Sequence, residues 1–199
     1  MELARALPAI LVARRALGED DALVGRFAAA RRGDPDALAA LYDQLAAELH
    51  GFALWRSGCR AIADDAVQEV FCRLAAGRAP EDERVRSPRA WLLAAVRRAA
   101  IDIHRRRRHE VSFEAADFVL EAADPTVKNA DRVADGERAR RALTTLPPKL
   151  REALYLRHFA GLSFAEIGRV AHVPTFTAAS RCRLGLARLR RAFGVEVTA

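Results

Sequence analysis

Arginine carries the most distinctive chemistry in this sequence. Of the 33 basic residues, 31 are arginines, and only Lys128 and Lys149 are lysines. A guanidinium group presents its N–H donors as a planar fork, which matches a phosphate or a base edge better than an ammonium group does. The formal net charge of +7 supports the same interpretation, because a basic surplus attracts polyanions. The sequence therefore favours a nucleic-acid partner.

The charges fall into three blocks along the chain. Residues 97–109 hold six arginines against one acid, and residues 110–137 hold eight acids against two basic residues. Residues 138–191 then hold twelve basic residues against two acids. This alternation predicts two binding domains joined by an acidic linker.

The first arginine block ends a predicted helix. Ser87 and Pro88 are typical of a helix start. The apolar residues that follow recur at helical spacing: Leu92, Val96, Ala99 and Ile103. The neighbouring edge combines an aromatic ring with arginines: Trp91, Ala95, Arg98, Asp102 and Arg105. A lone tryptophan is more often a core residue, but this combination favours a helix lying on nucleic acid, with the ring near unstacked bases.

A short helix pair near the C-terminus predicts a DNA-reading module. Ser163 and Glu166 match a capping box, residues 172–174 suit a turn, and Thr175 can cap a last helix. The apolar stripe of that helix comprises Ala178, Cys182, Leu186, Leu189 and Phe193, and its outward side carries Thr177, Ser180, Arg181, Arg188 and Arg191. In a helix-turn-helix the second helix lies in the major groove. A small helical core can show the same pattern, so this stretch alone does not decide.

A third helix, at residues 62–74, has an acidic and amide-rich outer face. Its apolar stripe comprises Ala63, Ala66, Val67, Val70, Phe71 and Leu74. Off that stripe lie Asp64, Asp65, Gln68, Glu69 and Arg73. Such a face is either the solvated side of a core helix or a docking surface. The preceding helix is predicted from Asp34 as cap, through Pro35, to about Ser57.

The rest of the composition favours an all-α protein and offers no catalytic set. The three cysteines are isolated, which gives no support to a zinc or disulfide site. The five histidines are scattered, and no glycine-rich phosphate loop appears. We predict no catalytic residue, cofactor or metal. The absence of a signal-peptide pattern predicts a cytoplasmic location.

Three motifs in this order resemble the extracytoplasmic-function (ECF, group IV) sigma factors, the promoter-recognition subunits of the sigma-70 family. "DDAVQEVFCRL" at 64–74 is similar to their core-polymerase-binding helix. "SPRAWLLAAVRRAAIDIHRRRRH" at 87–109 is similar to their −10 region. "LTTLPPKLREALYLRHFAGLSFAEIGRVAHVPTFTAASR" at 143–181 is similar to their C-terminal domain.

The resemblance implies two small helical domains with separate tasks. They are a region 2 domain at 22–108 and a region 4 helix-turn-helix domain at 137–193, with an N-terminal extension at 1–21, an acidic linker at 109–136 and a tail at 194–199. The implied partners are core RNA polymerase, through its β and β′ subunits, and promoter DNA, and the resemblance also allows an anti-sigma factor.

The same resemblance, read residue by residue, implies three binding sets. Core polymerase would contact Asp64, Asp65, Gln68 and Glu69. The −10 element would contact Trp91, Arg97, Arg98, Arg105 and Arg106. The −35 element would contact Thr175, Thr177, Ser180, Arg181, Arg183 and Arg188.

The recognition helix departs from the family pattern. The usual Gly-Thr-Val-Lys-Ser-Arg is Phe-Thr-Ala-Ala-Ser-Arg at 176–181, and Leu184 stands where a further arginine is usual. Arg98 likewise stands where the −10 helix often has asparagine. These departures affect the preferred DNA sequence more than the activity. We expect Arg181 to face the groove and Arg183, about 200° further around the helix, to touch backbone at most.

Two other functions remain open from the sequence. A conventional helix-turn-helix transcriptional regulator would explain the C-terminal half only. A sigma-like decoy would titrate an anti-sigma factor without initiating transcription.

Overall fold

The computed structural model describes residues 19–77, 85–110, 143 and 145–192. Seven α-helices and no β-strand occur in these ranges, which confirms the predicted all-α class. The first four helices are α1 (Glu19–Arg31), α2 (Pro35–Ser57), α3 (Arg60–Ala75) and α4 (Pro88–Glu110). The other three are α5 (Pro148–His158), α6 (Phe164–Ala171) and α7 (Thr175–Ala192). Helices α1–α4 belong to one compact unit and α5–α7 to a second.

Several predictions fall outside the described residues. They concern residues 1–18 of the N-terminal extension, residues 111–136 of the acidic linker, Phe193 and the tail. None of the helices in the described ranges is long and apolar enough to cross a bilayer.

Helix α2 begins and ends where local chemistry dictates. The Asp34 carboxylate accepts hydrogen bonds from the backbone N–H groups of Asp36 and Ala37, each at 3.0 Å. Pro35 occupies the first turn, where its missing N–H costs nothing. Gly58 ends the helix in the left-handed region, at φ 67°, and its N–H donates to the Leu54 carbonyl at 2.8 Å. The predicted bounds of this helix are confirmed.

The core of the N-terminal unit lies where α2, α3 and α4 pack together. Every residue of the two predicted apolar stripes of α3 and α4 is buried. Leu93 and Ala100 are buried as well, so the packed face of α4 is wider than predicted. The reason is that α4 packs against both α2 and α3 rather than against a single neighbour. This packing leaves the outer faces of α3 and α4 as the surfaces available to partners.

The C-terminal unit contains the predicted helix pair and its turn. The Ser163 side chain and the Glu166 side chain form a reciprocal capping box, which confirms the predicted start of α6. His172 ends α6 at φ 53°, the left-handed conformation that a tight turn requires. Gly168 permits the turn to close, because a Cβ there would lie 2.7 Å from the Val173 carbonyl oxygen. Helices α6 and α7 therefore form a helix-turn-helix.

Thr175 is predicted to cap the last helix from the position just before it, but the helix includes Thr175. Thr175 is already its first residue, and the Ala178 N–H donates to the Pro174 carbonyl at 3.1 Å. The helix packs on α5 at Gly185, where a Cβ would lie 2.9 Å from the Leu154 side chain. The thiol of Cys182 donates to the Ala153 carbonyl at 3.3 Å in the same contact.

Candidate polymerase-binding and nucleic-acid interfaces

The acidic face of α3 is on the surface, as predicted. Asp64, Asp65 and Gln68 are exposed, and they lie opposite the buried stripe of the same helix. Glu69 differs from them, because only 23 % of its side chain is exposed. This α3 acidic surface therefore has three open positions and one that is largely covered.

An open groove of about 790 Å³ borders the α3 acidic surface. It runs between α2 and α3, and its walls include Leu38, Tyr42, Val67, Phe71 and Cys72, with Gln68 and Asp64 among its polar lining residues. Tyr42 packs edge to face on Phe71 with ring centroids 5.0 Å apart, and half of its surface remains exposed. Sequence reasoning missed Tyr42. The signal was available, since Leu38, Tyr42 and Ala46 recur every four residues and form a second stripe on α2.

Two of the predicted sets touch each other. The Nη2 atom of Arg107 on α4 lies 2.6 Å from the Oδ2 atom of Asp65 on α3. The Nη2 atom of Arg106 lies 3.2 Å from the Oε2 atom of Glu69, which is also paired with Arg73 one turn along α3. The arginine end of α4 is therefore held against the α3 acidic surface.

Asp64 has a different partner, on α2. The Nε2 atom of His50 lies 2.9 Å from the Oδ1 atom of Asp64, but off the direction of a hydrogen bond. The contact is a close approach of two polar groups rather than a hydrogen bond. It lies at the polar edge of the groove, because both side chains line it.

The predicted −10 residues divide between different sides of α4. Trp91, Arg98 and Arg105 are spaced by seven residues, so they share one edge of the helix. Arg98 and Arg105 are exposed, whereas Trp91 is half-buried. Its ring packs edge to face on Phe27 of α1, with centroids 5.1 Å apart.

Arg97 and Arg106 do not join that edge. They lie nine residues apart, on roughly opposite sides of the helix. Arg97 is half-buried, and Arg106 is turned toward Glu69. The structure therefore brings together three of the five predicted −10 residues.

The predicted −35 residues of α7 differ in how far they are exposed. Thr175, Ser180, Arg183 and Arg188 are exposed, while Thr177 is half-buried. Arg181 is half-buried as well, so exposure favours Arg183 over Arg181 as the outward residue, and the expectation that Arg181 faces the groove stays a prediction. Gly185, one turn after Arg181, belongs to the face packed against Leu154, so Arg181 lies near the edge of that face.

Two buried groups of the C-terminal unit have shifted pKa values. Burial raises the pKa of the Cys182 thiol to about 11, and the nearby positive charge of Arg157 offsets this only in part. Burial also lowers the pKa of His158 below its usual 6.5, with Arg157 acting in the same direction. Both groups are therefore neutral at physiological pH.

Comparison with known proteins matches both units to one family. Residues 41–110 match Sigma-70 region 2, and residues 136–189 match Sigma-70, region 4. The ECF RNA polymerase sigma factor SigK of Mycolicibacterium vanbaalenii is 30% identical over 180 residues, which cover 89% of this chain and 90% of the relative. The ECF RNA polymerase sigma factor SigL of Mycobacterium tuberculosis is 31% identical over 173 residues, covering 84% and 94%.

Two solved structures have a similar fold. The sigma factor RpoE from Bartonella quintana, in complex with the anti-sigma factor NepR, has a TM-score of 0.62 at 22% identity and covers 80% of this chain and 98% of its own. CnrH, in complex with the cytosolic domain of CnrY, has a TM-score of 0.60 at 22% identity, covering 89% and 99%. At this identity the likeness supports the fold alone.

The matches extend over both halves of the chain. A conventional helix-turn-helix regulator would account for the second half only, so that interpretation is wrong. The predicted function, binding core RNA polymerase and directing promoter-specific initiation, is confirmed at the level of the family. This chain belongs to the ECF sigma factors of the sigma-70 family.

Proposed function

We propose that the two units divide promoter recognition between them. The N-terminal unit, at 22–108, binds core RNA polymerase through α3 and the −10 element through α4. The C-terminal unit, at 137–193, binds the −35 element through α6 and α7. The protein acts in the cytoplasm, where promoter DNA and the polymerase are found, and it contributes no catalytic residue of its own.

The observation that carries the polymerase-binding proposal is the position of the groove beside the α3 acidic surface. A concave apolar site with a polar edge suits a helix from a partner protein, which buries its apolar side chains and pairs its charges at the edge. Tyr42 is suited to anchor such a helix, since half of its surface is exposed over the groove. Gln68 offers a hydrogen-bonding amide at the same place.

The DNA-binding proposal is supported by the charge and exposure of α4 and α7. Arg98 and Arg105 project from one edge of α4 and can bind successive phosphates. The last two turns of α7 carry three exposed arginines without an acidic residue: Arg188, Arg190 and Arg191. Positive groups of this kind supply affinity that depends on salt rather than on base sequence.

The experiment is a binding titration with core polymerase, using a matched pair of variants. Gln68→Arg places a bulky cation inside the groove, whereas Gln44→Arg makes the same change at an exposed position of α2, where the hydrogen bond to Arg26 is exposed. We expect Gln68→Arg to weaken polymerase binding at least tenfold, about 1.4 kcal/mol, and Gln44→Arg to leave it nearly unchanged. Equal affinities of the two variants would refute the groove as the binding site.

Run-off transcription separates this proposal from the decoy. The purified protein is added to core polymerase on a pool of genomic fragments, and defined transcripts are expected. A decoy would bind polymerase or an anti-sigma factor without yielding transcripts.

A further inference from the structure

Phe176 is the most exposed large hydrophobic side chain among the described residues. Its exposed fraction is 74%, against 50% for Tyr42 and 47% for Leu184. Isolated exposed apolar residues are common on protein surfaces and need no special explanation. The position of Phe176 is what distinguishes it, because it is the second residue of α7. In a helix-turn-helix, the N-terminal residues of the second helix are the ones that reach the base edges.

The helix geometry puts Phe176 at the centre of the exposed face. At roughly 100° per residue, Ser180 and Arg183 lie within about 40° of Phe176 around the axis, and both are exposed. The opposite side is packed in the core of the unit and comprises Ala178, Cys182, Gly185 and Leu189. The ring therefore points away from the protein, in the direction from which DNA would approach.

The arginines in the last two turns of α7 are too far along the helix to read the same bases as Phe176. At about 1.5 Å per residue, Arg188 lies roughly 18 Å along the axis from Phe176. The major groove is only about 12 Å wide, so arginines at and beyond this position reach the phosphates when Phe176 is over the base edges. Near the ring, the neighbouring residues Thr175 and Thr177 are uncharged. The first turn of α7 therefore offers no charged side chain to the bases, and the side chain it exposes most is apolar.

Only thymine carries a methyl group on its major-groove edge, beside its O4 acceptor. Thymine presents a methyl group at C5, whereas the edges of guanine, adenine and cytosine present hydrogen-bonding groups. A stacked duplex also shields the faces of the bases, so an aromatic ring at the groove can contact edges only. We propose that Phe176 packs on the 5-methyl group of a thymine in the −35 element and makes this promoter element selective for thymine at that position. The inference rests on the assignment of the −35 element to α6 and α7.

The test uses DNA that lacks a single methyl group. Holoenzyme reconstituted from the full chain and core polymerase first selects −35 sequences from duplexes randomised in that region. Each thymine of the selected element is then replaced in turn by deoxyuridine, which removes only the 5-methyl group. At one position we expect wild-type holoenzyme to lose affinity about fourfold, the effect of burying one methyl-sized group.

The variant Phe176→Ala decides whether the ring is responsible. It should bind the thymine duplex about as weakly as wild type binds the deoxyuridine duplex, with no further loss on methyl removal. Leu184→Ala, a matched change at another exposed apolar residue of α7, should keep the full methyl effect. The thermal unfolding of Phe176→Ala should match wild type, because the side chain makes little contact with the unit.

Three results would overturn the inference. Equal methyl effects in wild type and Phe176→Ala would assign the methyl contact to another residue. A selected element without thymine, in a holoenzyme that still selects a −35 sequence, would leave Phe176 without its ligand while the proposed function stands. A loss of core-polymerase binding by Phe176→Ala in the absence of DNA would show that the ring packs on protein. Failure to select any −35 sequence would instead remove the proposed function of α6 and α7 and the inference with it.

Discussion

Arg107 of α4 donates a hydrogen bond to the carboxylate of Asp65 on α3 across 2.6 Å. The two residues are 42 positions apart in the chain. The contact joins the arginine end of the proposed −10-binding helix to the proposed polymerase-binding surface. Any partner that binds Asp65 must therefore compete with Arg107, and any DNA phosphate that binds Arg107 must compete with Asp65.

The first prediction concerns the strength of this pair. Both side chains are nearly half exposed, at 43% and 48%, so solvent screens the attraction. In a double-mutant cycle with Asp65→Asn and Arg107→Gln, we expect a coupling energy of about 0.5 kcal/mol in the free energy of unfolding. Denaturant titration of the four proteins measures it. A coupling energy above about 2 kcal/mol would contradict this prediction, because the pair would then contribute strongly to the stability of the N-terminal unit.

The second prediction contrasts two neighbouring positions of α3. Glu69 lies between Arg73 and Arg106, whereas Gln68 is exposed beside the groove. Glu69→Lys brings three positive charges together and should destabilise the N-terminal unit by about 1–2 kcal/mol. Gln68→Lys should change stability by about 0.5 kcal/mol or less. Thermal unfolding of both variants checks this, and similar melting temperatures would contradict it.

The start of α2 and the start of α6 could be predicted because local chemistry decides them. Asp34 and Pro35 at one helix, and Ser163 with Glu166 at the other, satisfy backbone groups within a few residues. The buried stripes of α3 and α4 could also be predicted, since helical spacing alone places them on one face.

The details of the interfaces could not be predicted, because tertiary packing decides them. Nothing in the sequence near Glu69 indicates that Arg106, 37 residues away, would cover it. Gly185 likewise could not be assigned to the packed face of α7 from the sequence, because a glycine has no side chain that would mark an apolar stripe. It nevertheless packs closely on Leu154 and widens the buried face of α7, and Arg181 lies at the edge of that face.

The third prediction concerns pH. Burial lowers the pKa of His158 below 6.5, so the folded unit binds this proton less well than the unfolded chain does. As pH falls below about 6.5, the unfolded state gains the proton first and stability decreases, until the pH reaches the folded pKa. His158→Gln should weaken this dependence between pH 7.5 and 5.5. Denaturant unfolding followed through the C-terminal unit measures the slope, and an unchanged slope in the variant would contradict the assignment.

The fourth prediction uses two glycine substitutions of opposite expected sign. A Cβ at Gly168 would lie 2.7 Å from the Val173 carbonyl oxygen, and that backbone atom cannot turn away as a side chain can. Gly168→Ala should therefore destabilise the C-terminal unit by about 1–3 kcal/mol and lower −35-dependent transcription. Gly25→Ala on α1 has no atom within 4 Å of its Cβ and should stabilise the N-terminal unit by about 0.5–1 kcal/mol. Loss of stability in both variants would show that clash is not the cause.

The last prediction separates three arginines of α7 by what each can reach. Arg183 is exposed and lies near Phe176 on the outer face, whereas Arg181 is half-buried on the flank. Arg183→Ala should therefore cost about 1–3 kcal/mol in promoter binding if its guanidinium contacts a base edge, and Arg181→Ala should cost less. Arg188 lies further along the helix, at the phosphates, so Arg188→Ala should weaken all sequences alike and reduce the salt slope by about one unit.

Holoenzyme titrations on selected and scrambled −35 duplexes at several salt concentrations distinguish these three effects. Loss of discrimination between the duplexes identifies a base contact, whereas an equal loss on both with a smaller salt slope identifies a phosphate contact. Arg181→Ala could instead abolish discrimination between the selected and scrambled duplexes while Arg183→Ala preserves it. In that case α7 would bind DNA through the side that carries Arg181. Phe176 would then lie beside the groove rather than in it, because about 140° of rotation separates it from Arg181 around the helix.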